Sequence, residues 1–236
     1  MIPIGDDERR PAYLAFAVYA LVAINVYVFV QEIGAPDADR FINAFAAIPY
    51  NIVNDVPIAL HDPAPPPFPA LTLVTSMFLH GSILHIAFNM LFLLVFGPAV
   101  EYLTGHVRFV GFYLLCGLAG GIAQIAIGPG SHVPALGASG AIAGVLGAYL
   151  VNYPFAQIRT IVPLGCFPLF LRLPALLVIG LWAATQFVTG FGTISDRAAE
   201  SQGGTAYFAH IGGFCAGVIL IGLFKIRPAA GRAYQT

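Results

Sequence analysis

Residues 137–153 read Gly137-Ala138-Ser139-Gly140-Ala141-Ile142-Ala143-Gly144-Val145-Leu146-Gly147-Ala148-Tyr149-Leu150-Val151-Asn152-Tyr153, with no charged side chain, and Pro154 ends the run. The stretch is apolar enough for a membrane interior but falls short of the ~20 residues a helix needs to cross one. Such a helix must be shielded by its neighbours, or leave part of the bilayer depth to irregular backbone inside protein or beside water. Gly137, Gly140, Gly144 and Gly147 recur at three- and four-residue spacing. That spacing lines one helix face with small residues, where a second backbone can approach closely. Ser139 stands at the head of this face.

Outward from this stretch the chain is built for lipid. Of its 236 residues 58% are hydrophobic and 9% charged, with a mean hydropathy of +0.84. A soluble globular domain carries roughly a quarter charged residues, so that class is excluded. Apolar windows lie at 12–30, 83–104, 109–128, 138–153, 173–190 and 206–225. They predict an all-α membrane protein, a bundle of six transmembrane helices with a short central fourth helix. The first window reads as a retained helix, because its leader Asp6-Asp7-Glu8-Arg9-Arg10 is not net basic and no small-residue cleavage site follows. A single helical domain over 12–225 is expected between tails at 1–11 and 226–236, and no internal repeat is visible.

Basic residues in short flanks set orientation. With a cytoplasmic N-terminus, that side holds Arg9, Arg10, Arg108, Arg159, Arg172, Lys225, Arg227 and Arg232, against Arg40 and Arg197 outside. Both termini are therefore expected in the cytoplasm, and the compact chain reads as a bacterial plasma-membrane protein. A net charge of −1 points to no nucleic-acid partner. Cys116, Cys166 and Cys215 lack metal-ligand spacing and read as core residues. Neither a metal nor another cofactor is expected. The first outer connection, 31–79, includes the Pro-rich run 63–69 and apolar segments that suit the interface. The second, Gly128 to Pro134, reads as a tight turn, and the third, 191–205, as a mobile cover.

Polar side chains inside apolar spans are costly, and here they converge by depth. His85 and Asn89 lie near the outer start of span 2, Ser139 at the outer start of span 4 and His210 at that of span 6. Gly137, Gly140, Gly144 and Gly147 on span 4 and its lead-in, with Gly213 and Gly217 on span 6, are expected to let these two helices pack closely. A serine hydroxyl beside an imidazole is the minimum for nucleophilic catalysis, and spans 4 and 6 contain no Asp or Glu to complete a triad. The expectation is a Ser139–His210 dyad. His85 and Asn89, four residues apart on one helix face, would join the Ser139 backbone N–H in stabilising an oxyanion.

Taken singly, each of these residues has an ordinary structural reading as a helix contact or a satisfied histidine. Their shared depth favours chemistry. Glu101 reads as snorkelling or paired with a cation such as Arg108, and Asn25 and Gln124 as interhelical bonds. Gln186 and Trp182 suit either a cavity lining or a helix interface, while His61, His106 and His132 are loop residues with no evident partner. A small membrane transporter would use similar intramembrane polar groups, but would call for inverted repeats or paired charges.

The segments Phe78-Leu79-His80-Gly81-Ser82-Ile83-Leu84-His85-Ile86-Ala87-Phe88-Asn89-Met90, Gly97-Pro98-Ala99-Val100-Glu101, Gly137-Ala138-Ser139-Gly140 and Ala209-His210-Ile211-Gly212-Gly213-Phe214-Cys215-Ala216-Gly217 resemble the motifs of rhomboid intramembrane serine proteases. The order and spacing agree over roughly 70–225. This resemblance implies a six-helix fold, attack by Ser139 on a peptide bond, and His210 as base and then acid. It also implies water entering from the outer face and lateral access gated by span 5. Substrates would be transmembrane segments of other proteins. Inactive relatives that bind clients lack the serine or the histidine, and this chain has both. Two departures stand out: Ala143 replaces the aromatic that often supports the histidine, and Leu71-Thr72 replaces a Trp-Arg pair that often anchors the first loop.

Overall fold

The computed structural model describes residues 1–7, 13–56, 58, 65–164, 167–194 and 206–229. Arg9, Arg10, His61, Cys166, Arg197, Arg232 and the third outer connection beyond Ile194 lie outside the described residues. Among the described residues, five helices are long and apolar enough to cross a membrane: α1 (Phe16–Gly34), α5 (Ile83–Thr104), α6 (His106–Ile127), α8 (Ala175–Ile194) and α9 (Tyr207–Phe224). Between α1 and α5 run the short helices α2 (Ala38–Phe45), α3 (Pro49–Val53) and α4 (Thr72–Thr75). α7 (Ser139–Asn152) has only 14 residues, and every residue from Gly140 to Tyr149 is buried. The first helix begins four residues later than the sequence window, and α8 runs into the segment expected to be a loop.

Glycine brings the inner helices into backbone contact. A Cβ on Gly213 would collide with the Gly140 carbonyl, and one on Gly217 with the Gly144 carbonyl. On the other side of α7, Gly144 faces the Cys116 side chain of α6. Three helices thus meet closer than larger residues allow, so their attraction comes from van der Waals contact without need of apolar bulk.

One buried carboxylate corrects its sequence reading. Glu101 neither snorkels nor pairs with Arg108. It is fully buried and accepts from the Ala17 and Val18 backbone N–H groups at 3.1 and 2.8 Å, which head α1. Tyr13 also donates to the Glu101 backbone carbonyl at 3.2 Å, and His106 Nδ1 lies at 2.5 Å from the carboxylate. A helix N-terminus offers unpaired N–H groups and a positive dipole end, which offsets the cost of burying the charge. His106, read as an unpartnered loop residue, instead starts α6 and stacks on Tyr13.

The connection between α7 and α8 is a β-hairpin, β2 (Gln157–Leu164) and β3 (Phe167–Pro174), and β1 (Ile2–Asp6) pairs antiparallel with β2. A stretch expected as part of a tail is therefore a sheet edge. Asp7 bonds Arg159 at 3.1 Å and Arg172 at 3.2 Å, and Tyr149 donates to Asp6 at 3.0 Å, which ties the sheet to the end of α7. At this same end Lys225 donates to Asn152 at 2.7 Å, and Arg227 donates to the Tyr102 carbonyl at 2.9 Å.

Candidate active site

α5, α7 and α9 each start at the opposite end from the sheet, and their first two turns carry His85, Asn89, Ser139 and His210. Ser82 caps α5 by accepting from the His85 N–H at 3.1 Å. Gly137 has φ +119°, and a Cβ there would lie 2.8 Å from the His85 ring. Glycine is required at this point, since only it combines that backbone angle with such close approach. The chain passes beneath His85 and turns into α7 at Ser139, the first helical residue. The first intrahelical bond of this turn is the Ile142 N–H to Ala138 O. The N–H groups ahead of it, Ser139 included, have no acceptor within the helix.

A cavity of about 620 Å³ is lined by His85, Asn89, Ser139, Trp182 and His210 among others. Ser139 and His210 are half-buried and Asn89 is buried. One Asn89 N–H is engaged by the His85 carbonyl of its own helix at 3.1 Å, which leaves the second amide hydrogen for another acceptor. His80, in the connection just ahead of α5, is fully buried with its ring 5.1 Å from that of His85. Burial, with His85 beside it, holds His80 down to about 4, so it is neutral at pH 7.

The support of His210 comes from α8, which the sequence left open. His210 Nδ1 lies 2.7 Å from Gln186 Oε1, and the Trp182 ring sits 5.8 Å from the imidazole. Their four-residue spacing was visible as one helix face, but the neighbour that face meets depends on tertiary packing. Gln124 behaves as expected, accepting the Ala209 N–H at 3.3 Å from the adjacent helix. Asn25 donates instead to the Leu21 carbonyl of its own helix at 2.7 Å.

The first outer connection is anchored without the Trp-Arg pair. Thr75 donates to the Phe45 carbonyl at 2.6 Å, and the His80 N–H to buried Glu32 at 2.9 Å. Ala47 pairs with Ala135, and Tyr50 stacks on His132 at 4.2 Å. The Gly137 N–H donates to the Ser76 carbonyl at 2.8 Å, so the loop braces the turn that presents Ser139.

The Rhomboid domain family matches residues 68–227, which takes in all four polar residues and both glycine-bearing helices. The chain belongs to the rhomboid family. Among curated relatives, this rhomboid is 29% identical over 211 residues to "Rhomboid protein 1, mitochondrial" of Saccharomyces cerevisiae, covering 86% of the chain and 51% of that protein. It is 47% identical over 78 residues to "Rhomboid protease GluP" of Bacillus subtilis, covering 33% of the chain and 15% of that protein. It is 30% identical over 159 residues to "RHOMBOID-like protein 5" of Arabidopsis thaliana, covering 67% of the chain and 45% of that protein. The chain thus spans about half the length of these relatives or less. Together with the five long apolar helices, family membership makes it a multi-pass membrane protein.

Proposed function

We propose that this rhomboid is an intramembrane serine endopeptidase that cleaves transmembrane segments of other proteins through a Ser139–His210 dyad. The observation that carries the reading is the cavity in which Ser139, His210, His85 and Asn89, drawn from three helices, line one space. Ser139 Oγ attacks the scissile carbonyl while His210 takes its proton, then returns it to the leaving amine. His85, the second Asn89 N–H and the Ser139 backbone N–H stabilise the oxyanion, aided by the positive end of the α7 dipole. Water reaching the cavity from the outer face hydrolyses the acyl-enzyme. Gly140, Gly144, Gly213 and Gly217 hold the two catalytic helices in backbone contact, whereas Gly137, expected in the same contact, instead lets the turn into α7 pass against the His85 ring. A helical substrate hides its scissile bond in backbone hydrogen bonds, so locally unwound segments are favoured.

α7 serves in this reading as the sixth, central membrane helix, inside a single domain over 12–225. Both termini lie in the cytoplasm, in keeping with Arg108, Arg159, Arg172, Lys225 and Arg227 flanking helix ends remote from Ser139. The setting we propose is a bacterial plasma membrane, in keeping with the Bacillus subtilis relative matched over 78 residues; the yeast relative matched over 211 residues is mitochondrial by name, which makes an organelle membrane the second reading.

The test is cleavage of a model transmembrane substrate by the purified full chain in detergent, alongside Ser139→Ala and His210→Ala. Turnover should fall at least ~1,000-fold in both variants, and a fluorophosphonate should label the wild type but not Ser139→Ala. Cleavage surviving in either variant would remove that residue from the mechanism. A wild type that neither cleaves nor labels would favour a client-binding protein.

A further inference from the structure

A histidine acting as base must present the correct nitrogen to the hydroxyl, and neutral imidazole exists as two tautomers. In a serine hydrolase triad the third residue selects between them. The sequence offers no carboxylate on α7 or α9 for this task, and Ala143 leaves the ring without the aromatic neighbour found in many relatives. The structure fills both roles from α8.

The Gln186 amide is fixed at both ends. Its Nε2 lies 3.4 Å from the Trp182 carbonyl oxygen and 3.1 Å from Thr185 Oγ1. Thr185 in turn donates its own hydroxyl hydrogen to the Trp182 carbonyl at 2.6 Å. A carbonyl only accepts, so the amide atom facing it must be the NH₂ group, and the atom facing His210 must be the oxygen. That oxygen, 2.7 Å from His210 Nδ1, can itself only accept. His210 Nδ1 must therefore carry the hydrogen, which leaves the lone pair on Nε2. The Trp182 ring 5.8 Å from the imidazole, itself 6.3 Å from Phe214, limits tilting of the plane.

From this geometry we infer that Gln186 is a positioning residue for the proposed hydrolysis: it holds His210 in the Nδ1–H tautomer, with Trp182 as the wall that keeps the ring in plane. The arrangement is a Ser139–His210–Gln186 relay in which the third member is neutral. An amide orients the imidazole without bringing a buried negative charge into the membrane, where an unpaired carboxylate is costly. No proton passes to Gln186. It stabilises the imidazolium by its dipole alone, and less strongly than a carboxylate does.

This inference rests on the protease reading, and the experiment separates the two. Wild type, Ser139→Ala, Gln186→Leu and Gln186→Glu are compared as full chains in proteoliposomes with a model transmembrane substrate, alongside ¹⁵N spectra of the histidine rings. Gln186→Leu, which keeps the volume and removes the acceptor, should lower kcat roughly 10- to 100-fold, no more than the low end of the ~100- to 10,000-fold that a well-placed base contributes, with KM and thermal stability unchanged. Gln186→Glu restores an acceptor and should recover most of the lost kcat. The wild-type His210 signal should show a protonated Nδ1 and a bare Nε2, and Gln186→Leu should lose that preference. Wild-type cleavage that depends on Ser139, combined with full kcat and an unchanged His210 tautomer in Gln186→Leu, would overturn the inference alone. A Glu variant as slow as the Leu variant would also count against it. Absence of Ser139-dependent cleavage in the wild type would bring down the protease reading, and this inference with it.

Discussion

Gly217 and Gly222 lie on the same helix, yet their surroundings could hardly differ more. A Cβ at Gly217 would run into the Gly144 backbone, while one at Gly222 would meet nothing within 4 Å. Overpacking a tight contact costs about 1–3 kcal/mol, whereas alanine in an open helical position improves helix propensity by up to ~1 kcal/mol. Gly217→Ala should therefore lower thermal stability and activity together, by pushing α9 away from α7, and Gly222→Ala should leave both intact or raise stability. Unfolding midpoints in detergent measure the difference. Equal effects at the two sites would contradict the close approach. Much of this was legible beforehand, since the spacing of Gly140, Gly144, Gly213 and Gly217 marks a contact face in any apolar helix. The partner of His210 was not. Gln186 and Trp182 advertise a polar and aromatic stripe, but a stripe does not say which neighbour it meets.

At the level of elements, the least legible feature was the three-stranded sheet. Residues 157–162, Gln-Ile-Arg-Thr-Ile-Val, are rich in β-branched side chains and suit a strand. Their outer partner, however, is about 150 residues away in the chain, and its short apolar run before Asp6-Asp7 has no pattern long enough to stand out. Non-local pairing of this kind is invisible to local periodicity. β2 is the central strand, with Ile161 between Ile2 and Phe170, whereas the ion pairs of Asp7 lie on half-exposed or exposed arginines. Exposed ion pairs contribute only ~0–1 kcal/mol, while proline in a central strand deletes a ladder bond and clashes with its neighbours. Asp7→Ala should thus shift the unfolding midpoint little, and Ile161→Pro should lower it markedly and open the α7–α8 connection to proteolysis. If Asp7→Ala proved the more damaging, the sheet would be held by charge and not by its ladder.

For the whole molecule, the decisive asymmetry is between its two ends. The end bearing Ser139, His85 and His210 carries the interlocked first and second outer connections, with Tyr50 on His132 and Ala47 paired to Ala135. The opposite end carries the sheet, Lys225 and Arg227, and the aromatic residues Phe155, Phe167 and Phe170 stand exposed there. Basic residues are retained on the cytoplasmic side during insertion, so the proposed orientation turns the cavity outward, where water can reach it. Single cysteines in a background with Cys116, Cys166 and Cys215 replaced would test this in intact cells. Ser131→Cys, at the cavity end, should react with a membrane-impermeant maleimide from outside. Phe167→Cys, 81% exposed in the sheet, should react only after the cells are opened. The reverse pattern would place the cavity on the cytoplasmic side and leave the outer-face water route without support, while the cavity shared by Ser139 and His210 and the His210–Gln186 contact would be untouched, because they depend on helix packing and not on which side faces out.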